Sequence, residues 1–162
     1  MTENRGVVPP KILEDLADFR KWRASGKNWT LFEYAALNMT VDLAIAITEF
    51  LFPNFREIDG YVVLAPGETD TSLRYAISQW EKQLGGDASA VERALNHYHL
   101  CDLIPCFHEA SQQTIIYFGN FLVRCWSYQL KQQFPDRCIV IEGRWGDEDH
   151  DFVITLYQER GN

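Results

Sequence analysis

The residues best equipped for chemistry crowd into one run, Asn96 to His108, NHYHLCDLIPCFH, which holds three of the chain's four histidines and two of its four cysteines. Imidazole and thiolate are the ligands that zinc favours, and a closed zinc site takes them as two short-range pairs separated by a loop. An extended chain from 97 to 101 sends His97, His99 and Cys101 to one side, with Cys106 or His108 completing the set beyond Pro105. A helix denies this, because at about 100° per residue His97 and Cys101 share a face while His99 points away. The helical reading has the stronger local support. Asp87 and the Ser89-to-Glu92 spacing are start signals, and Val91, Ala94, Leu95 and Tyr98 continue one apolar face. The run is therefore read as a helix C-terminus with histidines on its polar side. The alternative is a zinc-binding protein or an enzyme that uses the cluster at 97–108.

Thiol catalysis has a thinner basis. Cys106 and His108 are neighbours in sequence, but a catalytic Cys and His generally meet through the fold, and no family signature surrounds either cysteine. Cys125 lies on an apolar stripe and Cys138 opens a strand, so both read as small buried hydrophobes.

A second stretch, Glu142 to Asp151, EGRWGDEDHD, gathers acids without the ligand alternation, central Gly and terminal Glu of a calcium loop. What remains is a hairpin connection presenting Arg144, Trp145, Asp147, Glu148 and Asp149, residue types that suit recognition of another protein. These are the expected partner-binding residues. Trp145 decides between two outcomes: an exposed anchor, or a lid folded back over the sheet. The other templates fail. There is no nucleophile elbow, phosphate-binding Walker loop, dinucleotide glycine fingerprint or His-Glu-x-x-His helix. Asp59-Gly60 and the turn APGETDTS are explained by turn and cap chemistry rather than by a bound phosphate. No catalytic residue, cofactor or metal ligand is assigned.

Those residues need elements to position them. Pro9-Pro10 opens a helical pattern carrying Ile12, Leu16 and Phe19, and Ser25-Gly26 stops it. Thr30 and Glu33 have capping-box spacing, so a second helix starts at Leu31 and pauses at Asn38. VDLAIAITEFL, 41–51, is apolar almost all round, which predicts a central, covered helix. Phe52-Pro53 ends it before a strand at 58–64. Asp70 or Thr71 caps a helix with Leu73, Ile77, Trp80 and Leu84 on one face. A long helix spans about 113–133 with a stripe of Phe118, Leu122, Cys125, Trp126 and Leu130, ended by Phe134-Pro135. Residues 138–142 and 151–157 form a hairpin, and 158–162 a frayed tail after a single domain that begins with a short arm, 1–8. The Phe-Pro-spacer-strand echo near residues 52 and 134 predicts two helices feeding strands into one sheet.

The expected fold is α+β and helix-dominated, about five or six helices on a small, mainly antiparallel sheet of about three strands with a C-terminal hairpin. A chain of 162 residues that is 46% hydrophobic is long enough to bury a core without staples. Twenty-three acids against fifteen bases leave a formal charge of −8, which repels nucleic acid and anionic membrane surfaces. No apolar run approaches a span and no signal peptide is readable, so a cytoplasmic setting with reduced thiols is expected. The function expected is that of a small acidic binding or inhibitor-type domain steering toward a protein of basic charge.

Overall fold

Eight helices and five short strands are described in the computed structural model, which covers residues 8–26, 29–104, 109–146 and 150–160. In chain order they are α1 (Pro10–Asp15), α2 (Ala17–Ala24), α3 (Leu31–Asn38), α4 (Val41–Leu51), β1 (Arg56–Ile58), β2 (Tyr61–Val63), α5 (Asp70–Gln83), α6 (Ala88–Leu95), β3 (His97–His99), α7 (Leu100–Leu103), α8 (Gln112–Gln133), β4 (Ile139–Gly146) and β5 (Asp151–Gln158). The architecture is α+β with a C-terminal β4–β5 hairpin, as expected. The helices are more numerous than expected because two predicted helices are each interrupted. Leu16 takes an extended conformation between α1 and α2, and the segment 97–99 leaves the helix for a strand.

Local chemistry sets several boundaries. Thr30 accepts from Glu33 N–H while the Glu33 carboxylate accepts from Thr30 N–H at 2.7 Å, a reciprocal box at the start of α3. Asp87 caps α6 through Ala90 N–H. The cap of α5 is Thr69 rather than Asp70 or Thr71, with Ser72 closing the box. Phe52 and Phe134, each before a proline, close α4 and α8 with the same backbone angles, φ −131° and ψ 64°.

The two Phe-Pro units nevertheless feed different sheets. β1 and β2 form a two-stranded antiparallel hairpin, and β3, β5 and β4 form a separate antiparallel sheet with β5 in the middle. The single strand predicted at 58–64 is folded at Asp59-Gly60, whose positive φ values, 52° and 87°, make a tight two-residue hairpin. Side chains tie the sheets together. Glu92, fully buried on α6, accepts from Val62 N–H of β2 at 2.8 Å and from Gln158 N–H of β5 at 2.6 Å. Asn96, one turn on and equally buried, accepts from Leu64 N–H and donates to the carbonyls of Val62 and Leu156. The two side chains substitute for a missing strand between β2 and β5. Glu92 thus serves the interior rather than a capping box, and Ser89 donates its hydroxyl proton to Gln158 O.

The main core lies between α8 and the three-stranded sheet, where Leu122, Trp126, Phe152, Ile154 and Leu156 are almost fully buried. Gly119 permits the contact: a Cβ there would stand 2.3 Å from the Phe152 ring. A second cluster, including Ile58, Leu73, Ile77 and Val91, fills the space between the β1–β2 hairpin, α5 and α6. α8, not α4, is the central helix. No residue of α4 is buried, and only its end reaches the core, where Trp126 Nε1 donates to Phe50 O at 3.1 Å. Residues expected to begin a frayed tail are bonded instead. Gln158 donates to Gly60 O, and Arg160 to Gly60 O and Glu92.

Replacing Glu92 by Ala removes the acceptor of two buried amide N–H groups and of the Gln158 side chain. A loss of about 3–5 kcal/mol is expected, the range for breaking a buried charged network, and urea denaturation monitored by circular dichroism measures it.

Candidate functional site

Two regions carry features that packing alone does not use up. The first is a polar knot at the edge of the three-stranded sheet. β3 pairs antiparallel with β5, His97 opposite Thr155 and His99 opposite Val153. The pleat sends Tyr98 inward, where its hydroxyl donates to Leu64 O and its ring meets Trp126, and leaves His97 and His99 on the other face. The helical reading of 97–99 is therefore overturned: Asn96, committed to β2 and β5, breaks the helix, and the open edge of β5 takes up the extended backbone. α7 then begins at Leu100 and turns Cys101 back toward the first residue of β5.

That residue is Asp151, whose side chain is 3% exposed. Its Oδ1 accepts from the backbone N–H groups of Phe152 at 2.7 Å and Cys101 at 3.3 Å. Its Oδ2 faces His99 Nδ1 at 2.9 Å and Cys101 Sγ at 3.1 Å. The ligand-type atoms of His99, Cys101 and Asp151 all lie within 4.8 Å of one another. The thiol of Cys101 is pushed up to about 11, chiefly because it donates to the Asp151 carboxylate, then through burial and the negative charges of Asp151 and Asp102. A nucleophilic cysteine needs the opposite arrangement, a thiolate favoured by a neighbouring cation. Here the carboxylate sits between thiol and imidazole, so the site suits holding an ion or a proton better than attacking a substrate.

The other residues of the histidine and cysteine run fall elsewhere. His97 stands beside His99, ring centres 5.1 Å apart, with its Nδ1 3.2 Å from Thr155 Oγ1. Cys106 and His108 lie outside the described residues. Cys125 is buried on α8 and its thiol is raised by burial, whereas Cys138, expected inside, is exposed near Glu159. In the sequence Asp151 stands at the end of an acidic stretch and at the start of the predicted strand 151–157, with nothing to mark it as a ligand. Its partnership with 99 and 101 depends on strand register, which no local signal encodes.

The second region is apolar. α3 and α4 expose Phe32 (81%), Leu37 (66%), Val41 (74%), Leu43 (50%) and Ile45 (60%), and Phe52 against Tyr128 extends the surface onto α8. From residue 28 to 55 the charged residues are Glu33, Asp42 and Glu49, with no lysine or arginine. At the foot of α4 opens a cleft of about 430 Å³ with Phe50, Leu64, Leu103 and Trp126 in its walls and Glu49 and Arg56 beside them. No single described helix is long and apolar enough to cross a membrane; α3 and α4 together meet length and composition but are bent by 119°.

The expected recognition loop divides. Arg144 is exposed on β4, opposite Val153. Trp145, opposite Phe152, is half-buried and packs against the main core, the position of a lid. Asp147, Glu148 and Asp149 lie outside the described residues. At the turns considered for phosphate, Arg74 pairs with Asp59 and Arg56 with Asp70. In comparison with known proteins, no family model, no curated protein and no solved structure matches the chain.

The raised thiol has a direct consequence. Alkylation of Cys101 by iodoacetamide is expected to be slow at neutral pH and to accelerate as pH climbs toward about 11. Asp151→Asn, which removes the negative charge and, with the amide oxygen kept by the two backbone N–H groups, the acceptor facing Cys101, moves that rise to lower pH, as peptide mass spectrometry across a pH series will show.

Proposed function

We propose that the protein works by binding another protein through α3, α4 and the cleft at the foot of α4, and that the partner supplies an apolar segment flanked by lysine or arginine. One observation carries this reading: a helix of eleven residues, apolar at nearly every position, has none of them buried. Complete burial of a single Val, Leu or Ile side chain is worth about 1.5–3 kcal/mol, so Val41 and Ile45, one turn apart on the same face of α4, hold a reserve of binding energy that folding leaves unspent. The adjoining cleft can receive one large side chain, the usual form of an interface anchor. Charge selects the partner. Two copies meeting across this surface bring Glu33, Asp42 and Glu49 together with no lysine or arginine on α3 or α4, the cleft's Arg56 being already paired with Asp70, and an anionic bilayer meets the same negative charge. A basic rim is complementary, and the formal charge of −8 steers such a partner from a distance. Within this reading the exposed Arg144, with Asp147, Glu148 and Asp149 beside it in sequence, offers a secondary contact, while Trp145 serves as the lid.

The experiment combines capture with discrimination. The partner is identified by affinity capture and mass spectrometry, and its contact segment is mapped and resynthesised as a peptide. A segment that is apolar with flanking Lys or Arg, bound less tightly as salt rises and weakened at least about tenfold by Ile45→Glu, supports the proposal. Because Ile45 is exposed, that variant is expected to shift stability by no more than about 0.5 kcal/mol. The assignment fails if Ile45→Glu leaves binding intact while Trp145→Ala abolishes it. It fails equally if the apolar surface is covered by a second copy in analytical ultracentrifugation or by phosphatidylcholine–phosphatidylglycerol vesicles in co-sedimentation.

A further inference from the structure

We infer that His99, Cys101 and Asp151 form a three-ligand site for a borderline-soft divalent cation, zinc being the ion the donors suit best. This inference is independent of the binding surface on α3 and α4. Three observations converge on it. The donor set is one imidazole nitrogen, one sulfur and one carboxylate oxygen, a mixture that selects zinc-like ions over the hard, all-oxygen chemistry of magnesium or calcium. The charges balance: a thiolate, a carboxylate and a neutral imidazole sum to −2, so a divalent ion leaves a neutral centre beside a buried side chain.

The third observation is orientation. Two backbone N–H groups, of Phe152 and Cys101, hold Oδ1 and so aim Oδ2 at the other two donors, the outer-shell support that ligating carboxylates in metal sites receive. The distances are close to what is required. With bonds of about 2.0 Å to nitrogen and oxygen and about 2.3 Å to sulfur, tetrahedral ligands stand about 3.3–3.5 Å apart. The corresponding separations here are 2.9 Å for His99 Nδ1 to Asp151 Oδ2 and 3.1 Å for Cys101 Sγ to the same oxygen. Opening these two pairs by a few tenths of an ångström, with the imidazole and the thiol within 4.8 Å of each other and free to draw together on the ion, admits it. His99 is 32% exposed and Cys101 is exposed, so entry and a fourth position are on the solvent side.

Binding exchanges protons for metal. The thiol proton now shared with Asp151 leaves to solvent as sulfur coordinates, and the Nδ1 proton of His99 moves to Nε2 or to solvent, so that nitrogen presents its lone pair. No oxidant or reductant takes part.

The test uses the whole 162-residue chain, reduced, stripped with chelator and titrated with zinc chloride against a competing chromophoric chelator. One equivalent is expected to bind, to raise the thermal midpoint, and to give, with cobalt in place of zinc, a thiolate-to-metal charge-transfer band together with four-coordinate visible absorption. Cys101→Ser keeps a hydroxyl that can donate to Asp151, so the fold is preserved while the sulfur is lost. This variant and His99→Gln are each expected to weaken zinc at least about tenfold, since even an outer-shell partner is worth 10- to 100-fold. Cys101→Ser also erases the charge-transfer band. Cys138→Ser, on the far side of the hairpin pairing, leaves all readouts unchanged. Absence of stoichiometric uptake by the reduced wild type overturns the proposal and leaves the knot as a clip between β3 and β5. Uptake that survives both Cys101→Ser and His99→Gln in folded protein overturns it as well, because the ion then resides elsewhere.

Discussion

Glu92 and Asn96 stand one helical turn apart on α6 and do for two sheets what a strand would otherwise do. Backbone groups at the facing edges of β2 and β5 are buried, and a buried amide without a partner costs roughly 1–3 kcal/mol. Glu92 takes the N–H groups of Val62 and Gln158; Asn96 takes Leu64 N–H and donates to Val62 and Leu156. Arg160 reaches the carboxylate at 3.1 Å and supplies the compensating charge at the boundary with solvent. Most other features follow from this bridge. It makes two small sheets one scaffold, and it fixes the end of α6. It also obliges the chain after Asn96 to run extended along β5, which is what carries His99 and Cys101 to Asp151.

Where sequence and structure agree, the information is local. The Thr30–Glu33 box, the Asp87 cap, the two Phe-Pro stops, the stripe on α8 and the C-terminal hairpin each need only a few consecutive residues to define them. Disagreement arises where a distant segment decides. Tyr98 fits an apolar helical face by spacing alone, but its hydroxyl finds Leu64 O and its neighbours find β5, so 97–99 is a strand. Glu92 resembles a capping residue until the backbone it serves is known, since a carboxylate three places after a serine satisfies either role. α4 reveals a different limit. Its composition predicts a covered central helix, but nearly all of its surface lies outside the core, because α8 and not α4 packs against the sheet.

The two regions of interest make opposite demands on the scaffold. The apolar surface stands on a helix anchored to the core mainly by Phe50 and Leu51 at its end. The polar knot sits at the junction of β3, α7 and β5, where strand register and two backbone amides hold the carboxylate in place. The exposed apolar surface and the hydrogen-bonded polar knot thus lie on different elements of the fold.

The central position of β5 in its sheet also dictates an order of assembly. Gln158 reaches back across 66 residues to Glu92, and β3 and β4 both need β5 to become a sheet at all. A chain released only through α8 therefore holds helices and a small hairpin, with Glu92 bonded to Val62 N–H but still lacking Gln158 and Arg160. Long-range closure of this kind is entropically slow. The buried stripe of α8 thus stays without its sheet until β5 emerges.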